Sequence, residues 1–80
     1  MQIPVIKKLV EHYSLVQLQE AEAAMMEEQK PAIEVEGKDE GECLTHVLAS
    51  IYIKEKMEKD GSAFNQALRD FSQRVRNSIS

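Results

Sequence analysis

The chain has no tryptophan, only two prolines and three glycines, and a single cysteine, Cys43, among its 80 residues. One cysteine cannot close an internal disulfide, and such usage fits a reducing compartment. Aromatic residues make up 5% of the chain. Phe64 and Phe71 fall on a helical seam, so few rings are left to stack on nucleobases. No run approaches the roughly 18 apolar residues of a membrane span. The N-terminus has lysines and scattered apolar residues but no small-residue cleavage site, so no signal peptide is expected. A cytoplasmic protein with no membrane partner is the expectation.

Motifs for chemistry are also missing. There is no glycine-rich phosphate loop, no nucleophile elbow and no paired-cysteine zinc pattern. The many glutamates include no pair whose apolar neighbours would raise a carboxyl pKa. The chain therefore reads as a non-enzyme that needs no cofactor. An enzyme whose site forms only between chains is a remote third reading.

What is present is an ordinary globular composition, 42% hydrophobic and 30% charged. That argues against disorder and for one domain over residues 1–80. Charge is unevenly placed. Residues 14–42 hold nine acids against two lysines, a net of −7, whereas residues 62–80 carry Arg69, Arg74 and Arg76 against Asp70. A pI near 5.1 argues against general nucleic-acid binding, which needs a concentrated positive field.

The pattern predicts an all-α fold of four helices around a central one at about 40–59. In that stretch Cys43, Leu44, Val47, Leu48, Ile51 and Tyr52 form a broad apolar arc. Ala49, Ile53 and Met57 form a second stripe. A helix apolar on most sides is normally surrounded by other elements. Leu48 is expected where it is most enclosed. Asp39 is the expected N-cap, and Gly61 the left-handed residue after the end.

Three helices should surround it. Ile3, Ile6, Val10 and Tyr13 give the first its apolar face, and Pro4 suits its first turn. Ser14 and Gln17 have capping-box spacing, with Tyr13 and Leu18 at the staple positions. Leu15, Leu18, Ala21, Met25 and Met26 form the second helix's stripe, with the two methionines read as core. Ser62 is the expected cap of the last helix, whose seam runs Phe64, Ala67, Leu68, Phe71, Val75, Ser78 and Ile79. Between the second and central helices, Pro31 breaks the pattern. Ile33-Glu34-Val35-Glu36 then alternates with period two, which predicts an extended segment near 31–37 with Ile33 and Val35 turned inward. It reads as a pinned loop, with strand pairing to a copy or a partner as the alternative.

At both ends the chain resembles a small uncharacterised bacterial family. The residues are Ile3-Pro4-Val5-Ile6-Lys7 with Leu9, and Arg74-Val75 with Ser78-Ile79. The resemblance implies a short all-helical protein and no activity.

The leading functional expectation is a protein–protein interaction module that forms a homodimer. Its candidate interface is Ile33, Val35, Ile53 and Met57. The alternative is a small metal or redox protein using Cys43 and His46. These two share a helix face, with Glu42 four residues from His46 and His12 available from the first helix. They fall short of the three or four ligands zinc requires.

Overall fold

The computed structural model describes the backbone of residues 2–79 and the side chains of residues 2–77. It contains α1 (Ile3–His12), α2 (Leu15–Met26), α3 (Glu40–Asp60) and α4 (Phe64–Ile79), with no strand among the described residues. The protein is an all-α, four-helix domain.

Local chemistry sets most helix ends. Pro4 stands in the first turn of α1, where its missing N–H costs no helix bond. Ser14 and Gln17 form a reciprocal capping box at the start of α2. Asp39 accepts from the Glu42 N–H at 2.8 Å and caps α3. Gly61 ends α3 at φ 68°, and its N–H donates to the Met57 carbonyl. A left-handed residue after a helix end costs glycine little. The last helix starts later than Ser62 predicts. The Ala63 carbonyl accepts from Ala67 N, so Ala63 takes the cap position and Ser62 stands one residue too early.

The three other helices pack on α3. Along α1, the Gln2 N–H donates to His46 Nε2 at 3.0 Å, and Lys54 Nζ donates to the Val10 carbonyl at 3.0 Å. Both contacts join residues 44 apart in sequence. Equal offsets at two points mean that α1 and α3 run parallel and in step. The eight residues between the contacts span about 12 Å of helix. Lys54 also satisfies a carbonyl in the last turn of α1, which has no partner within its own helix. Helix α4 folds back on α3. Phe71 meets Tyr52 with ring centroids 5.4 Å apart, and Lys56 bridges Asp60 at 3.3 Å and Asp70 at 3.6 Å.

The core divides into two clusters that share α1 and α3. One joins Val5, Leu9, Leu18, Ala21, Val47 and Ile51. The other joins Ile6, Val10, Ala49, Ile53 and Ala67, closed over by Tyr52, Met57, Phe64, Leu68 and Phe71. Residues 5, 6, 9 and 10 of α1 feed both.

This arrangement corrects several expectations. Leu48 is 43% exposed, because α1 straps onto the face of α3 that carries His46, Ser50 and Ile53. The broad arc thus leaves its Leu48 side in water. Ile53, a predicted interface residue, is fully buried between α1 and α4. Met57 is half-buried against the same cluster. Ile3 and Val75 are exposed, and Met26 lies in water at 68% exposure, so only Met25 of the pair joins the core. The side chains of Ser78 and Ile79 lie outside the described residues.

Candidate functional site

The site begins where α2 stops. Pro31 is expected to end the second helix or to prevent its continuation, and α2 stops at Met26, ahead of it. Gln29 N–H donates to the Ala24 carbonyl at 2.8 Å and Glu28 N–H to the Met25 carbonyl at 3.1 Å. These two bonds make a Schellman ending, whose left-handed position is usually glycine. Here it is Glu28, at φ 60°, the one non-glycine residue with positive φ among the described residues. A side chain there costs about 1 kcal/mol or more relative to glycine.

The chain then bends at Ala32 and Ile33 and runs irregularly to Gly37. Ile33 and Val35 are half-buried, while Ala32, Glu34 and Glu36 are exposed. That period-two alternation matches the sequence expectation, and both inward residues pack on the α1–α2–α3 cluster. Gly37 lets this segment lie flat on α3. A Cβ at that position would stand 2.7 Å from Cys43 Sγ and 3.0 Å from Cys43 N.

Between the end of α2, this segment and the start of α3 lies a cleft of about 610 Å³. Its apolar lining comes from Met25, Pro31, Ile33, Val35 and Leu44, with Cys43 on the wall. Four acids, Glu28, Glu34, Asp39 and Glu40, also line it, against Lys30 alone. Volume and lining fall within the range of sites that take ligands.

Two residues of α3 hold the segment in place. The Cys43 thiol points to the Val35 carbonyl at 3.6 Å. His46 is fully buried, and its Nδ1 lies 2.8 Å from the Glu36 carbonyl. Because Nε2 accepts from Gln2 N–H, Nδ1 must carry the proton and donate to Glu36. One imidazole therefore ties the start of α1, the segment and α3 together. Lys8 adds a surface pair to Glu36 at 3.5 Å, worth about 0–1 kcal/mol. Burial first, then the charges of Glu42, Asp39 and Glu40, push the Cys43 thiol above its ordinary pKa. It is thus held as the weakly nucleophilic thiol rather than the thiolate.

The predicted site residues are therefore split. Ile33, Val35 and Cys43 meet in the cleft, His46 anchors it from beneath, and Ile53 and Met57 belong to the opposite cluster. No three His, Cys, Asp or Glu side chains converge with metal-binding geometry among the described residues. Glu28 was not foreseen as special, because nothing in its type signals a left-handed backbone.

The fold and cleft thus define a small all-α domain with an apolar, acid-lined groove. A family model described as a family of unknown function (DUF6952) matches residues 1–80, and the chain belongs to that family. No curated protein and no solved structure matches it.

Proposed function

We propose that the protein is a non-enzymatic protein–protein interaction module whose contact surface is the cleft beside residues 31–37. The observation that carries this reading is the cleft itself: an apolar groove of about 610 Å³ framed by acids. The left-handed Glu28 at its rim adds support, since unrelieved backbone strain concentrates at working surfaces. The metal or redox alternative has less support. Both nitrogens of His46 are engaged by backbone groups, and the Cys43 thiol is pushed up in pKa. A photo-cross-linking residue placed at Glu34, with Glu11 as the control position, tests the reading in cells. A discrete protein adduct is expected from Glu34 alone. Equal labelling from both positions, or none from Glu34, would overturn it.

A symmetric dimer is the second reading, and Leu48 favours it. This large side chain is 43% exposed on the outer face of α3, beside half-buried Leu44 and Tyr52. With Ile53 buried, that face replaces Ile53 and Met57 as the candidate dimer contact. A two-fold pair would bury the same patch on both copies. Sedimentation equilibrium at micromolar concentration should give a dimer that Leu48→Glu dissociates. A wild-type monomer rules the dimer out.

A further inference from the structure

The segment beside the cleft has three properties that together specify what would lie along it. First, its side chains alternate, with Ile33 and Val35 turned inward and Glu34 and Glu36 outward. Second, its backbone is under-used. The Val35 and Glu36 carbonyls are engaged by Cys43 and His46, yet among the described residues no group accepts from the N–H of Ile33, Glu34, Val35 or Glu36. Unpaired backbone N–H groups are what an added strand pairs with. Third, the adjoining groove is apolar within and lined by Glu28, Glu34, Asp39 and Glu40 against one lysine.

A second copy of the segment fits poorly. Antiparallel pairing centred on Val35 would set Glu34 directly opposite Glu36 of the second copy, twice over. Like charges directly opposite destabilise a strand pair. The complementary strand carries positive charge where this one carries glutamate, and apolar side chains where this one faces the groove.

We infer that the cleft binds an extended segment of a different protein, in which lysine or arginine alternates with apolar residues. The inference rests on the interaction-module reading and names its partner's chemistry. The apolar residues enter the groove beside Ile33 and Val35. The basic residues lie against Glu34 and the other acids, and backbone bonds to residues 33–36 fix the register. Register matters because a one-residue slip turns every apolar side chain away from the groove.

The test is a titration of the full chain followed by backbone amide NMR. The probes are Lys-Leu-Lys-Val-Lys-Leu-Lys, its glutamate counterpart, and a peptide of the same composition with all four lysines placed first. The alternating basic peptide should shift the amides of residues 33–36 and those of Cys43 and Leu44. The glutamate peptide should not bind, and the block peptide should bind at least about tenfold more weakly. Glu34→Gln/Glu40→Gln should weaken the alternating peptide by about tenfold, about threefold for each exposed charge pair lost. N-methylation of every second peptide residue should abolish binding. Equal binding of the alternating and block peptides would reduce the effect to general electrostatics and overturn the inference. So would shifts centred elsewhere, or tight binding that survives N-methylation. If the Glu34 cross-link forms while the alternating peptide fails, the module stands and this partner chemistry falls. If both fail, the module falls as well.

Discussion

The two halves of the core are built from the same two helices and closed in different ways. On the α4 side, three residues connect α3 to α4, and Phe64, Leu68, Phe71 and Tyr52 seal the cluster around Ile53. On the α2 side, thirteen residues separate α2 from α3. Ile33 and Val35 cover that end of the core, and a cleft remains beside them. A short connection between antiparallel helices lets side chains interdigitate along their length. A long connection must cover its end of the core with irregular chain, held by single contacts such as His46 to Glu36. One side is made for stability. The other leaves a cleft with an apolar lining at the surface.

The largest expected effect falls on the sealed side. Ile53→Ala should cost about 2–5 kcal/mol, because Ile53 is fully buried and its removal leaves a cavity in the cluster. Chemical denaturation with an unchanged m-value checks it. A loss below about 1 kcal/mol would mean that the sealed side is as loose as the open one.

On the open side the corresponding residue is polar. His46→Leu should cost about 2–4 kcal/mol, since it strands the Gln2 N–H and the Glu36 carbonyl together. Hydrogen exchange should quicken at the Gln2, Val5 and Ile6 amides, whose bonds run through the Gln2–His46 contact, but not in α4. Uniform quickening would show that His46 supports the whole core rather than a latch.

These two residues also mark how far the sequence could be read. Three helix ends were legible because their causes are local: Ser14 with Gln17, Asp39 with Glu42, and Gly61 after Lys59 and Asp60. The alternation of Ile33 and Val35 was legible for the same reason. Which face of α3 turns inward was not. That helix is apolar on several sides, so spacing alone could not choose between Leu48 and Ile53. The choice was made by two polar residues, His46 and Ser50, that a hydrophobic count assigns to the surface. Ser50 is buried because its hydroxyl donates to the His46 carbonyl one turn back. His46 is buried because its partners lie 10 and 44 residues away. Within the site, the inward pair was visible, while the left-handed Glu28 and the close approach of Gly37 to Cys43 depend on tertiary placement.

Glu28→Gly sharpens the comparison from the opposite direction. It relieves the left-handed backbone on the open side and should raise stability by about 0.5–1 kcal/mol. The gain is reduced by the extra freedom of glycine in the unfolded chain. Thermal denaturation measures it, and a loss of stability would mean that the Glu28 side chain makes contacts that outweigh its strain. Leu48→Ala should change stability by less than about 1 kcal/mol, against about 2–5 kcal/mol for Ile6→Ala, which is fully buried in α1. A reversal of that order would restore Leu48 to the core.

The smallest effect is a pH dependence on the open side. Cys43 has a raised pKa in the folded protein, from burial first and the neighbouring carboxylates second. The folded state therefore favours the protonated thiol. Below the ordinary thiol range both states hold the proton, and the stabilisation is fully present. As pH rises, the unfolded chain releases its proton first, so the unfolded state gains and stability falls, until the folded thiol also ionises. Denaturation midpoints should thus decline between the ordinary thiol pKa, about 8.5, and the raised folded value. Cys43→Ala should flatten that part of the curve while leaving neutral pH little changed. Alkylation gives an independent reading. At pH 8 the folded thiol should react more slowly than the same cysteine in denaturant, because only the thiolate attacks. If wild type and Cys43→Ala declined in parallel and folded Cys43 reacted at the unfolded rate, the thiol would be free in solvent. The segment carrying Val35 would then not be held down by Cys43, and the open side would depend on His46 alone.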